Sequence, residues 1–155
     1  MIFCPLTADT FANFGTLLDV PAQPGRTARL MLPANSRPHA LPSMTLIHLG
    51  AEPASRSIAQ IERHRDGGQA FVHLGGGGLL VVVIPALPDG RPNLADAIGF
   101  TTRPGQGFCY HPDIWHAGVS ALAAPAQVAS LLCVDGTAAD VELLTLASPL
   151  LLTLP

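Results

Sequence analysis

Two stretches of this sequence carry side chains that can move protons or bind a cation. The first runs Ile61-Glu62-Arg63-His64-Arg65-Asp66-Gly67-Gly68-Gln69-Ala70-Phe71. The second runs Pro104-Gly105-Gln106-Gly107-Phe108-Cys109-Tyr110-His111-Pro112-Asp113-Ile114-Trp115-His116. Histidine titrates near ~6.5 when unperturbed, which suits it to general acid and base work at neutral pH. Two histidines with a carboxylate also make a ligand set for Fe, Mn, Ni or Zn. In a strand, alternate side chains share a face. Glu62 and His64 therefore point one way and Arg63 the other, and the Asp66-Gly67-Gly68 turn lets Gln69 rejoin the Glu62 side. The competing structural reading makes Glu62 with Arg63 or Arg65 a surface ion pair worth about 0–1 kcal/mol. His39, in a Pro-rich loop, reads as solvated, and His48 and His73 read as structural strand residues. His111, beside Pro112, fits either role.

The elements that must position these groups are mostly strands. Candidates are Thr27–Leu32, Met44–Leu49, Ser57–His64, Gln69–Leu74, Leu79–Ile84, Gly107–His111, Ile114–Ser120, Val128–Val134 and Val141–Leu146. Turn clusters separate them at Asp66-Gly67-Gly68, Gly75 to Gly78, Pro88-Asp89-Gly90 and Pro104-Gly105. Many short strands with frequent turns indicate an all-β sandwich or barrel. One short N-terminal helix is expected from Thr7, its N-cap, to Leu18, with Phe11, Phe14, Leu17 and Leu18 at helical spacing. Asn93 to Phe100 is expected to make one or two helical turns. Gly75–Gly78 lacks a following Lys-Ser/Thr and precedes a strand, so it reads as a hairpin turn and not as a phosphate loop.

Composition narrows the function classes. The chain has 155 residues, 48% apolar and 12% charged, enough for one domain with a real core. No composition break or fixed-period repeat divides it, so residues 1–155 are expected to form a single domain. The net charge is −3, and the basic residues are eight arginines with no lysine. Nucleic-acid binding needs a basic cluster that is absent here, and lysine Schiff-base chemistry is excluded. The cysteines, Cys4, Cys109 and Cys133, have no CxxC spacing, so a disulfide framework and a Cys-rich zinc site are not expected. The longest apolar run, Leu79 to Ile84, falls well short of the ~20 residues that span a bilayer. No secretory leader is evident, and a cytoplasmic location is expected. The apolar stretch from Leu143 to Leu154 is expected to pack on the core or on a second subunit.

Side by side, the two chemical segments resemble the paired motifs of the cupin superfamily. Its first motif is His-x-His-x4-Glu, and this chain has Glu62-x-His64-x4-Gln69. Its second ends in Pro-x-Gly-x-x-His, and this chain has His111-x-Asp113-x-x-His116. A closer resemblance is to the ureidoglycolate lyases. It is carried by Glu62-Arg63-His64, Gln69-Ala70-Phe71, the run Leu80 to Pro85, and Gly105-Gln106-Gly107-x-x-Tyr110-x4-Trp115-His116. The opening Leu6-Thr7-x3-Phe11-x2-Phe14-Gly15 also fits. The chain departs from the family pattern at Arg65 (commonly Pro), Cys109 (commonly Asn), Ala117-Gly118 (commonly His-Pro) and Asp135-Gly136, where an arginine is missing.

The resemblance implies a double-stranded β-helix barrel in which Glu62, His64, Gln69 and His116 converge. It implies a carbon–nitrogen lyase splitting ureidoglycolate into glyoxylate and urea. A metal-dependent cupin of other chemistry and a non-catalytic metabolite binder are the alternatives. On this reading His64 and His116 exchange protons with the substrate, a small ureido or 2-hydroxy acid, while Glu62 orients an imidazole or acts as the base. Gln69 and Tyr110 would hold the carboxylate or ureido group, and Trp115 would form the pocket wall. A divalent metal on the same residues is the rival use. By analogy with cupins of this size, a homodimer is expected, with the stretch after Leu143 as candidate interface.

Overall fold

The computed structural model describes residues 1–26, 33–51 and 55–153. Its elements are β1 (Ile2–Pro5), α1 (Ala8–Phe11), β2 (Gly15–Leu18), β3 (Leu41–Leu49), β4 (Ser55–Arg63), β5 (Gln69–Gly76), β6 (Leu79–Ile84), β7 (Ile98–Thr101), β8 (Gly107–Tyr110), β9 (Trp115–His116), β10 (Ser120–Ala121), β11 (Ala126–Val134) and β12 (Glu142–Thr153). The strands form two sheets. One has the order β1-β7-β6-β9-β4-β12, with β10 also on β6; the other has the order β2-β8-β5-β11-β3. This is the all-β barrel expected from the sequence.

The period-two alternation of β6 shows how the layers are held. All six of its residues are buried. Leu79, Val81 and Val83 enter the cluster between the sheets with Phe11, Phe71, Phe100, Phe108 and Tyr110. Leu80, Val82 and Ile84 enter a second cluster with Ile58, Ile61, Trp115, Leu146 and Leu152. A strand covered on both faces reads as a continuous apolar run. The aromatics of the inner cluster pack edge-on and stacked: Phe11 and Phe100 lie 5.4 Å apart at 85°, Phe71 and Phe108 5.3 Å apart at 28°. Such pairs add about 0.5–1.5 kcal/mol beyond burial.

Several elements differ from expectation. The helix is one turn, not twelve residues. Thr7 does cap it, in a reciprocal capping box with Thr10. Residues 15–18 instead run extended along β8, with Gly15 opposite Tyr110 and Leu18 opposite Gly107. The helical spacing of the apolar residues was overridden by strand pairing at a point where only glycine fits. Leu94–Asp96 makes a single 3-10 turn and Ile98–Thr101 is a strand. The expected strand Ile114–Ser120 divides into β9 and β10. β1, which pairs in parallel with β7, was not anticipated. The candidate strand Thr27–Leu32 lies outside the described residues. The apolar stretch after Leu143 is β12, paired antiparallel with β4 across an irregularity between Thr145 and Leu150. Its Leu146 and Leu152 are buried, while Leu143 and Leu151 are exposed.

A Cβ on Gly15 would lie 2.1 Å from the Cys109 carbonyl oxygen and 2.5 Å from a Phe11 ring carbon. Neither the ladder nor the buried ring can give way without cost. Gly15→Ala is therefore expected to destabilise the fold by about 1–3 kcal/mol, read as a lower urea midpoint with unchanged m-value.

Candidate active site

β4 ends by sending Glu62 inward. Its register partner in β9 is His116, and Glu62 Oε1 lies 3.4 Å from His116 Nε2. His64 follows directly after β4 and is buried. Its ring centroid is 5.7 Å from that of His116. The Gly67-Gly68 turn brings in β5, whose first residue, Gln69, pairs with Tyr110 of β8. Gln69 Oε1 lies 3.1 Å from His116 Nε2, and its Nε2 donates to Ser130 Oγ at 3.2 Å. The Tyr110 ring stacks on the His116 imidazole, with centroids 4.1 Å apart at 22°. Glu62, His64, Gln69, Tyr110 and His116 thus form one contiguous cluster.

Backbone carbonyls fix both imidazoles. His64 Nδ1 lies 2.6 Å from the Asp140 carbonyl oxygen, and His116 Nδ1 lies 2.8 Å from that of Ile114. A carbonyl only accepts, so each Nδ1 carries a hydrogen and each Nε2 turns to the cluster. The two Nε2 atoms differ in their surroundings. That of His116 faces two acceptors, the Gln69 amide oxygen and the Glu62 carboxylate, and is placed to donate to them. That of His64 is buried with no hydrogen-bond partner among the described residues, which leaves its lone pair open. The geometry thus suits His116 Nε2 to donate toward the carboxylate and His64 Nε2 to accept.

The surroundings tune the remaining groups. The hydrogen bond from His116 holds Glu62 below the usual carboxylate range, against the opposing effect of burial. Burial, reinforced by the Glu62 charge, pushes the Tyr110 hydroxyl well above its usual value. That hydroxyl is also buried without a partner among the described residues. The Asp140 carboxylate is held low by the Asp135 N–H, and then by Arg37 and the Gly136 N–H. Its contacts at 2.9, 2.7 and 2.8 Å to these groups lock the loop whose carbonyl orients His64.

Trp115 does not line this cluster, which corrects the sequence expectation. Strand alternation puts it on the opposite face from His116, in the apolar cluster with Ile61 and Ile84. Its indole Nε1 donates to the Gly90 carbonyl at 3.0 Å. Arg63 shares that face, as its parity with Glu62 and His64 required. Glu62 pairs with His116, not with a neighbouring arginine; Arg63 and Arg65 both bond Glu142. His39 is exposed, and His73 bridges the Gly77 carbonyl and the Gly105 N–H. The exposed His111 meets the Ala12 carbonyl at 3.3 Å. Cys109 is buried on the side of β8 away from Tyr110, and burial pushes its thiol up to about 12. Gly118 and Glu62 share a cleft of about 350 Å³ along β4 with Gln60 and Leu143. Sequence reasoning missed Asp140, Ile114 and Ser130. The first two act through backbone carbonyls, which leave no residue-type signal. Ser130 leaves a weak one, as a lone hydroxyl in an apolar strand.

The same residues fit a divalent cation. The ligand atoms of Glu62, His64 and His116 lie within 4.8 Å of one another. Nδ1–H bonds to carbonyls are also how ligating histidines are normally oriented.

Removing the unpartnered hydroxyl with Tyr110→Phe is expected to leave stability unchanged or raise it by up to about 1 kcal/mol. A chemical-denaturation midpoint measures this. Glu142 is held below its ordinary value by Arg63 and Arg65. A depressed folded pKa contributes stability that is complete above the unfolded value and is lost as pH falls through the folded one. Wild type is thus expected to lose stability as pH drops below about 4.3. Glu142→Gln should be less stable at pH 7 and show a shallower acid decline in melting temperature.

Comparisons with known proteins show the fold and the family. A chain described as a dTDP sugar isomerase, from Desulfovibrio desulfuricans G20, superposes with a TM-score of 0.50 over 83% of this chain and 80% of its own, at 18% identity. That likeness concerns the fold alone. A ureidoglycolate lyase of Mesorhizobium japonicum is 30% identical over 130 residues, 78% of each chain. One of Rhodobacter capsulatus is 34% identical over 137 residues, 81% of each. One of Pseudomonas syringae pv. tomato is 31% identical over 121 residues, 72% of this chain and 70% of its own. The sequence model of that family matches residues 1–153, so the chain belongs to the ureidoglycolate lyase family.

Proposed function

We propose that this chain cleaves ureidoglycolate to glyoxylate and urea, with His64 as base and His116 as acid, in one domain spanning residues 1–155. The observation that carries the assignment is the unequal surroundings of the two Nε2 atoms. His64 Nε2 has an open lone pair, whereas His116 Nε2 faces two acceptors. The substrate is a hemiaminal with a carboxylate. His64 Nε2 takes the hydroxyl proton, the oxygen electrons form the aldehyde carbonyl, and the carbon–nitrogen bond breaks. His116 Nε2 gives its proton to the departing urea nitrogen. Each transfer is worth typically ~10²–10⁴-fold. Glu62, 3.4 Å from His116 Nε2, orients that nitrogen before the step. Gln69 and Tyr110 offer neutral hydrogen bonds to the carboxylate or ureido group, the hydroxyl of Tyr110 having no other partner among the described residues. The cleft along β4 that reaches Glu62 supplies the approach.

A second reading is favoured by charge. The substrate carboxylate must sit near Glu62, while the neighbouring Arg63 and Arg65 are drawn to Glu142. A divalent cation held by Glu62, His64 and His116 would supply the missing positive charge and polarise the substrate hydroxyl as a Lewis acid.

We also propose a cytoplasmic homodimer. Supporting the location, Cys4, Cys109 and Cys133 are all free thiols, the usual state in a reducing compartment, and no helix among the described residues is long and apolar enough to cross a membrane. Supporting the dimer, Leu143 and Leu151 of β12 are 53% and 78% exposed. Light scattering at micromolar concentration is expected to return twice the chain mass; a monomer mass contradicts it.

The activity is tested by measuring urea and glyoxylate release from ureidoglycolate, with metal-stripped and metal-loaded protein beside His64→Ala. Turnover by stripped wild type and a loss of ~100-fold or more in the variant is the expected result. Turnover that returns only with added metal transfers the roles to the second reading. No release in either state contradicts lyase activity.

A further inference from the structure

Arg63 is buried on the face of β4 opposite the candidate site. Its guanidinium lies 4.3 Å above the centre of the Trp115 ring. Its Nε donates to Glu142 Oε2 at 2.8 Å, and its Nη1 donates to the Gly90 carbonyl at 3.1 Å. Nη1 also lies 3.0 Å from Asp113 Oδ1. The partners are tied to one another. Gly90 accepts from the Trp115 indole as well. Asp113, held at a positive φ of 66°, donates its backbone N–H to the His64 carbonyl at 2.7 Å. One side chain thus joins β4, the turn before β9, β9 itself, β12 and the loop after β6.

The backbone gives that network something to do. β9 is two residues long. Towards β6 it is held by the pairs Val83–His116 and Ile84–Trp115, with a following Ala117 N–H to the Val82 carbonyl. Towards β4 its register is a single pair, Glu62 with His116. Alternation puts Glu62 and His116 together on the inner face and Arg63 and Trp115 together on the outer face. The outer contact therefore sets how close β4 and β9 lie at the one place where the inner contact forms. The Glu62–His116 distance, 3.4 Å, is already long for a hydrogen bond, so a small slip of β9 would break it.

We propose that Arg63, through its stack on Trp115 and its bonds to Glu142, Gly90 and Asp113, is a positioning residue for the reaction, clamping His116 against Glu62 and His64 beside them. Arg63 touches no reacting atom. A displacement of about 1 Å of a reacting group can cost ~10²-fold in rate. The idea rests on the proposed use of Glu62 and His116, and the controls below separate the two.

The test compares ureidoglycolate turnover by wild type, Arg63→Gln, Arg63→Lys, Glu62→Gln and the Arg63→Gln/Glu62→Gln double variant. Far-ultraviolet circular dichroism verifies folding at the assay temperature. Arg63→Gln is expected to lower kcat by ~10-fold or more while KM moves less than ~3-fold. Arg63→Lys, which keeps a cation for the ring face, should recover part of that loss. Because Arg63 acts through the Glu62–His116 contact, the double variant should be within ~2-fold of Glu62→Gln alone. A kcat for folded Arg63→Gln equal to wild type, or losses that simply multiply in the double variant, overturns the positioning role. Wild-type turnover by Glu62→Gln instead overturns the site reading on which it rests. If Arg63→Gln does not fold, Trp115→Phe, which keeps a ring face but loses the bond to Gly90, decides by the same kcat and double-variant criteria.

Discussion

The pairing of Glu62 with His116 is one residue deep, and both faces of the sheet around it are organised by that pair. On the inner face it joins the Glu62 carboxylate to the His116 imidazole, with the His64 ring alongside, its centroid 5.7 Å from that of His116. On the outer face the same two strands present Arg63 to Trp115. The period of a strand forces this division. Any side chain between Glu62 and His64 must point away from them, and any residue before His116 must point away from it. The sequence Glu-Arg-His and the sequence Trp-His are thus two halves of one cross-strand contact, each contributing a residue to either side.

Burial makes the polar cluster selective. Beneath it the space between the sheets is filled by Phe11, Phe71, Phe100, Phe108, Val81 and Val83, so its polar atoms must satisfy one another. Most do: the Asp140 and Ile114 carbonyls take the Nδ1 hydrogens, and Ser130 takes a Gln69 hydrogen. What remains unsatisfied is the His64 Nε2 lone pair and the Tyr110 hydroxyl. A buried polar group without a partner costs about 1–3 kcal/mol. Both atoms belong to residues of the one polar cluster, where a bound molecule could offset that cost.

Much of this was legible in the residues, and the parts that were not share a cause. The all-β architecture followed from turn spacing, and the inward set Glu62, His64, Gln69 and His116 followed from strand parity and motif spacing. The same parity, applied to Trp115, would have excluded it from the pocket. An aromatic beside a buried histidine invites the wrong inference unless its alternation is counted. The helix through Leu18 failed because apolar spacing there fits a helix or a strand, and the decisive fact, the contact of Gly15 with Cys109, is tertiary. Orientation of the imidazoles was invisible because it depends on carbonyls from Asp140 and Ile114. The departures at Cys109 and Ala117 lie off the face that carries the polar cluster. Both are buried, Cys109 on the side of β8 away from Tyr110 and Ala117 in the outer cluster. Gly118 lines the cleft with Glu62, and Gly136 donates its N–H to the carboxylate of Asp140, whose carbonyl meets His64.

The acid and base roles depend on which ring nitrogens carry hydrogen, and nitrogen-15 NMR of the histidine side chains at neutral pH reads this directly. The account predicts hydrogen on Nδ1 of both His64 and His116, hydrogen on Nε2 of His116, and a bare Nε2 on His64. Each resonance is assigned by its loss in the single His→Ala variant. A protonated Nε2 on His64, or a bare one on His116 in metal-free protein, would contradict the division of labour between them.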